Sequence, residues 1–436
     1  MAVDLISKLT SYTKYYGVVN ISGVRSGVTR FANSAINQST NKSDISITLT
    51  LHDGKKEATC TTNVLDDCGL KKLAKDTEDL LAISPNSEYD MIPWQRQPMR
   101  VAQNDKDLPV IYNAAGRADA IKEGINSLGS GFTAAGALVL EKKLAAYGNS
   151  FSTPDEILFA DLNNVQFNTV VTNSANIAGP SECISHRFGG LDISGAFTRA
   201  QNLASICNTP ITIDGGEYTV ILAPGALADL IGYIVWSLNA KRVVEDLSFC
   251  GANLKKNPTL GANIRVYDDV NDVRVFPWYF DYEGCKRRTL PLIEKGIVKN
   301  LLFDSKVALL MGARQTGHAI NNKGHGGFSL HTIMLGGDKS EEEMIKNTER
   351  GLYISELHYT NFVDPHAAIL TGLTRGGSFL IENGKISRAI HPMRFTQNLL
   401  TALNNVTALS KNLTVVNAGG WAAVMPFAKI ERFCFP

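Results

Sequence analysis

The sequence predicts an α+β protein: N-terminal α/β layers with antiparallel sheets around a long central helix, then a β-rich barrel- or sandwich-like C-terminal region. Three observations carry this. Between residues 132 and 173, apolar residues alternate with Ser, Thr, Asn and Gly, as in a twisted antiparallel sheet. Leu227, Leu230, Ile231, Ile234, Val235 and Leu238 fall on the i, i+3, i+4, i+7 stripe of a helix with one buried face. Beyond Asp246 the texture changes to short apolar runs separated by turn residues.

In order, residues 3–15 have a moderately amphipathic helical pattern. Gly17–Ser22 and Ile45–Leu51 read as strands, and Asp53-Gly54 supplies a hairpin turn before Glu57–Thr62. His52, beside that turn, is expected in solvent. Asn63 or Asp66 can cap a helix whose apolar side is Leu70, Leu73, Ala74, Leu80 and Leu81. Residues 84–109 hold Pro85, Pro93, Pro98 and Pro109, a linker signature in which Trp94 would anchor the chain. A helix near Ala114–Ser127 follows, then strands at Phe132–Leu140, Lys143–Ser150 and within Asp155–Asn173. The helix near Ile193–Ile206 carries small residues at Ala196, Ala200 and Ala204, allowing close packing. Tyr218–Leu222 feeds through Pro224-Gly225 into the central helix, expected to reach about Asp246.

C-terminal strands are expected at Asn263–Asp268, Asp272–Trp278, Arg288–Glu294, Ile297–Asp304, Gly326–Leu335, Ser378–Glu382 and Lys385–Ala389. Two hairpins echo one another, Leu292-Ile-Glu-Lys-Gly296 and Leu380-Ile-Glu-Asn-Gly384, with a glycine at each turn. The expected organisation is 1–84, an N-terminal α+β domain; 85–109, a linker; 110–222, a second α+β domain; and 223–436, the central helix with the β-rich region.

A chain of 436 residues with 44% hydrophobic and 19% charged residues falls in the globular class. No run approaches the ~18 apolar residues of a membrane span, and no signal peptide is evident at the start. Net charge is +1 and well mixed, which argues against a nucleic-acid-binding face. Lys286-Arg287-Arg288 is expected to be a solvated turn. Seven scattered cysteines with no C-x-x-C pair favour free thiols and a cytoplasmic setting.

The Pro-Gly turn and the helix after it resemble the central helix of the TldD/PmbA (TldE) family, also called modulators of DNA gyrase. Arg30-Phe31-Ala32-Asn33 is similar to the family's N-terminal segment. Phe280-Asp-Tyr-Glu-Gly284, Leu292–Gly296, Arg314-Gln-Thr-Gly317, Gly351-Leu-Tyr-Ile354 and Leu380–Gly384 follow in the family's order. In the TldD branch, the turn is followed seven residues later by a His-Glu-x-x-x-His zinc motif. Here Gly232, Tyr233 and Ser237 stand at those positions. Glycine offers no ligand atom and neutral hydroxyls are poor zinc partners; the Glu that would act as general base is absent too. The tail Leu413–Trp421 also lacks the family's cysteine.

The resemblance therefore implies a TldE-like chain with no cofactor of its own and zinc in a TldD-like partner. That partner's Glu would activate a zinc-bound water against small or unfolded peptides, while this chain helps to form the chamber. A TldD-like subunit or a second copy is the implied partner. The resemblance places Glu356, Asn361, Asp364 and Arg375 near the peptide cleft. A rival metal set is His318, His325 and His331, at loop rather than helix spacing. Rival functions are a homodimeric binding or scaffold protein without catalysis, and a self-sufficient hydrolase with an unrecognised site.

Overall fold

The computed structural model describes residues 2–86, 100–102, 109, 113–206, 209–251, 253–254, 258–320, 324–418 and 421–436. Trp94 and most of the 85–109 stretch lie outside these. Helix α1 (Ala2–Ser11) precedes a long antiparallel pair, β1 (Tyr16–Ala32) and β2 (Ala35–His52). Both strands extend well beyond the expected segments. Asn33 and Ser34 form the turn, with φ of 50° and 59°, a conformation Asn tolerates because its short polar side chain bonds locally. At the next turn, Asp53 Oδ1 accepts the N–H groups of Lys55 and Lys56 at 3.1 and 2.7 Å, leading into β3 (Glu57–Thr62). His52 is buried there rather than exposed, its Nδ1 3.4 Å from Glu57 Oε2.

Helix α2 (Asp67–Ile83) is capped by Asp66, which accepts the Gly69 N–H. Leu70, Leu73, Ala74 and Leu81 are buried, whereas Leu80 is exposed, on the helix's outer side. After β4 (Arg100–Ala102) and α3 (Ala114–Asn126), the two expected strands at 132–150 are one, β5 (Phe132–Asn149). β6 (Leu158–Asn173) and β7 (Ala178–Ser185) follow. These seven strands form one sheet in the order β3-β2-β1-β5-β6-β4, with β7 also paired to β6, so residues on both sides of 85–109 share it. Helix α4 (Ile193–Ala204) packs on it through Ala196, Ala200 and Ala204, and α3 joins it; Phe31, Leu138, Phe167 and Phe197 fill the space between. Gly124 is obligatory at that contact, since a Cβ there would lie 2.0 Å from the Phe197 ring.

β8 (Gly216–Leu222) leads into the central helix α5 (Pro224–Ser237). The helix stops earlier than expected. Leu238 and Asn239 break it, the Asn239 side chain caps the short helix Ala240–Val244, and its Nδ2 donates to the His325 carbonyl. Leu227, Leu230, Ile231, Ile234, Val235 and Leu238 are buried, as the stripe requires.

The C-terminal strands are β9 (Val266–Asp268), β10 (Leu290–Glu294), β11 (Ile297–Val298), β12 (His331–Met334), β13 (Arg350–Ile354), β14 (Leu357–Asp364) and β15 (Ile369–Thr374). They continue with β16 (Ser378–Glu382), β17 (Lys385–Ala389), β18 (Arg394–Asn398), β19 (Val406–Leu409), β20 (Thr414–Ala418), β21 (Trp421–Met425) and β22 (Ala428–Phe435). They form three sheets, ordered β11-β10-β9-β12-β21-β20, β17-β16-β13-β8-β22-β19 and β14-β15-β18. The sheets are open, so the barrel alternative does not hold. Asp272–Trp278 is a run of turns, not a strand. The echoing hairpins share one turn geometry, with positive φ at Lys295 and Gly296 and at Asn383 and Gly384, as two-residue hairpins require. A further apolar cluster joins the large sheet to the C-terminal part, packing Tyr147, Leu158 and Leu162 on Trp278, Phe280 and Val424.

Candidate functional site

Helix α5 is buried except along one stripe. Gly225, Asp229, Gly232 and Tyr233 are half-buried and Trp236 is exposed. These positions recur at helical spacing, so they form one face, bordered by β14 and β20. Among the described residues, β7, β14 and β20 each have a strand neighbour on one side only. Of these, β14 and β20 pack beside the helix, while β7 lies against β20 and reaches the helix through Glu182.

At its N-terminal end, acidic groups gather. Glu182 of β7 lies beside Gly225, its Oε1 3.9 Å from where a Cβ on that glycine would stand. The same oxygen accepts the Asn417 N–H of β20 at 3.4 Å, and Asn417 Nδ2 donates to Gln166 at 3.3 Å. Burial raises the Glu182 carboxyl to about 7, with Asn417 opposing and the charges of Glu356 and Asp229 adding to it. Burial likewise raises Asp229 to about 6, helped by Glu356. Glu356 is raised by burial against the opposing pull of Arg375.

Of the four residues expected near a cleft, the structure brings Glu356 and Arg375 into this group. The Arg375 N–H also donates to the Glu356 carbonyl at 3.1 Å. Asn361 is exposed on β14, its Oδ1 accepting the Phe362 N–H, and Asp364 closes a local turn with the N–H groups of His366 and Ala367. Glu182, Gln166 and Asn417 were missed from the sequence because only strand register brings them to the helix. Asp229 was missed as well, although it is the one carboxylate within the apolar helix and that signal could have found it.

Gly232, Tyr233 and Ser237, expected from the resemblance at the zinc-motif positions, are used otherwise. A Cβ at Gly232 would meet nothing within 4 Å, so the helix faces open space there with no donor atom. The Tyr233 hydroxyl donates to the Thr360 carbonyl of β14, and its ring meets Phe362 edge-on at 4.9 Å. Ser237 is buried and donates to the Tyr233 carbonyl at 3.0 Å. This donor set does not fit zinc. Because nothing blocks a methyl group at Gly232 and helix-interior glycine is unfavourable, Gly232→Ala should raise stability by about 0.5–1 kcal/mol. A higher urea midpoint at unchanged slope would show it; a lower one would mean that the space is filled in the folded protein.

His318 and His331 do come together, but around Asp268. His318 Nε2 lies 3.2 Å from Asp268 Oδ1, and His331 Nδ1 is 2.8 Å from Arg287 Nη1. His325 is exposed, whereas His318 and His331 are buried. Among the described residues, no three His, Cys, Asp or Glu side chains converge as metal ligands. Arg287, expected in a solvated turn, is fully buried with both Asp268 oxygens on its Nη2, at 2.6 and 2.8 Å. No helix among the described residues is long and apolar enough to cross a membrane.

An α+β scaffold with a buried strand–Pro-Gly–helix unit and an open helix face has the fold of the TldD/PmbA metallopeptidases. Residues 215–433 match the model of the PmbA/TldA metallopeptidase C-terminal domain, and the chain belongs to this family. It is 25% identical over 209 residues to a zinc metalloprotease TldD homolog of Saccharolobus solfataricus, covering 46% of this chain and 45% of that protein. To the metalloprotease PmbA of Escherichia coli it is 29% identical over 154 residues, covering 35% and 32%. The chain thus spans less than half the length of these curated relatives that it matches. In fold it is similar to TldE from Thermococcus kodakarensis, with a TM-score of 0.85 at 17% identity over 100% of this chain and 99% of that one.

Proposed function

We propose that this chain is the TldE-like, non-catalytic subunit of a TldD/TldE-type peptidase, lining a chamber for small or unfolded peptides. The observation that carries this reading is the use made of the three helix positions. Gly232 has no donor, and the hydroxyls of Tyr233 and Ser237 are already engaged within the fold. Hydrolysis then belongs to a zinc-bearing, TldD-like partner, and this chain supplies walls and selectivity. An extended peptide can add main-chain hydrogen bonds along an unpaired strand, and the edge strands β14 and β20 pack beside the helix. An obligate interface with the partner would bury about 2,000 Å² or more, and the C-terminal sheets in 247–436 offer edges to cover. A reducing, cytoplasmic setting suits the free cysteines Cys60, Cys68, Cys183, Cys250, Cys285 and Cys434.

The test is elemental analysis and peptide cleavage by the chain alone and co-expressed with a TldD-like chain. Alone, it should hold no stoichiometric zinc and cleave nothing. The mixed complex should cleave, and replacing the partner's motif Glu should abolish that activity. One tightly held zinc per isolated chain, or strong chelator-insensitive cleavage by it, would overturn the reading.

A further inference from the structure

Directly paired residues on neighbouring strands project from the same face of a sheet. The registers of the large sheet align Gln38 with Arg30, Arg30 with Ala137, Ala137 with Asn168, and Asn168 with Glu182. These residues make one row crossing β2, β1, β5, β6 and β7. The next residues along three of the strands, Phe31, Leu138 and Phe167, point into the cluster beneath α3 and α4. Since successive side chains alternate faces, the row lies on the opposite face, which the C-terminal part covers further along at Tyr147, Leu158 and Leu162 but leaves exposed at Arg30, Gln38 and Asn168.

One end of the row is Glu182, beside the N-terminal turn of α5. Toward the other end stands Arg30, exposed, with no ion pair or side-chain hydrogen bond among the described residues. Gln38 and Asn168 flank it on the same face and are also exposed. Asn168 Oδ1 accepts the Ala137 N–H at 3.1 Å, so its amide NH2 remains as a donor. From Glu182 to Arg30 is three strand spacings, about 14 Å, the length of roughly four residues of extended peptide.

We propose that Arg30 binds a carboxylate of a peptide that crosses the strands of the large sheet along this row, about four residues from the part lying beside Glu182. The guanidinium fork matches a carboxylate bidentately, and the amides of Gln38 and Asn168 can add hydrogen bonds. The row would then set a length register for short peptides, which a cleft bounded only by acidic groups would not do. The inference rests on the peptide-chamber reading. Two sources offer the same chemistry, a C-terminal carboxylate or an acidic side chain at the fourth residue.

Isothermal titration of the purified chain with tetra-alanine, its C-terminal amide, and an amidated tetrapeptide ending in Glu separates these. A carboxylate-bearing peptide should bind about tenfold tighter than tetra-alanine amide, the scale of one charge-assisted hydrogen bond. Arg30→Gln should remove that difference and leave the plain amide unchanged, while Arg30→Lys should keep part of it. A gain for free tetra-alanine alone identifies the terminus as the source; a gain for the Glu peptide alone identifies the side chain. Equal binding of all three, or an equal loss for all three in Arg30→Gln, would overturn the assignment while leaving peptide binding intact. Failure of every peptide to bind would overturn the chamber reading as well.

Discussion

Replacing Arg287 by methionine should lower stability by about 3–5 kcal/mol, the cost of leaving one member of a buried ion pair alone. Arg287 and Asp268 are both fully buried. Asp268 also accepts the Ser329 hydroxyl and the N–H groups of Leu330 and His331, at 2.8, 3.0 and 3.1 Å. It therefore ties the segment Ser329–His331 to β9. Burial alone would raise its carboxyl, but Arg287 and His318 beside it hold it well below the usual range. Burial, reinforced by Arg287, pushes His331 down to about 3. Both folded values lie below their unfolded ones, so both groups lose stability as pH falls, His331 from about 6.5 downward and Asp268 below about 4. Urea unfolding at pH 7 checks the substitution. A loss under about 1 kcal/mol would mean that water reaches Asp268 or that the site relaxes around it. Replacing Asp268 by asparagine as well should recover part of the loss, because no charge is then left unpaired and the amide oxygen can still accept from Ser329, Leu330 and His331.

Leu230→Ala should cost about 2–5 kcal/mol, the cavity range for a fully buried leucine. Leu230 is 0% exposed, in the same cluster as Ile234, Leu302, Ile354 and Phe395. The helix is thus held from several C-terminal elements at once, which limits collapse into the space. Denaturant midpoints of the native and substituted chains provide the measurement. A change under about 0.5 kcal/mol, the range of ordinary surface substitutions, would place the stripe at the surface and undo the description of α5.

The family and the fold class were legible because their signals are local. A helical stripe, a Pro-Gly turn and two hairpin turns can be recognised within about ten residues, and Asn383-Gly384 specifies its turn wherever it lies. The expectation for Gly232, Tyr233 and Ser237 on α5 came from the same local signal, since counting from Gly225 requires no tertiary information. Local texture misled where burial is decided at long range. His52 stands beside a hairpin turn but is covered by neighbouring elements, and Arg287 sits in a basic triplet but meets Asp268, nineteen positions away in sequence. Asp272–Trp278 has strand-like residues, yet its chain folds as turns that pack Phe276 and Trp278 against the large sheet.

By itself, then, the sequence determined that this is a TldD/PmbA-family α+β chain with a buried-stripe central helix that carries glycine, tyrosine and serine at positions 232, 233 and 237. Only the tertiary structure decided what surrounds that helix. Glu182 reaches Gly225 through the pairing of β7 with β6, Asn417 arrives on the edge of another sheet, and the Tyr233 hydroxyl meets β14 more than a hundred residues away. Strand register is fixed by which face of a sheet must be buried, a property of the assembled core rather than of any one segment. A one-residue slip would turn Arg30 and Glu182 to the other face.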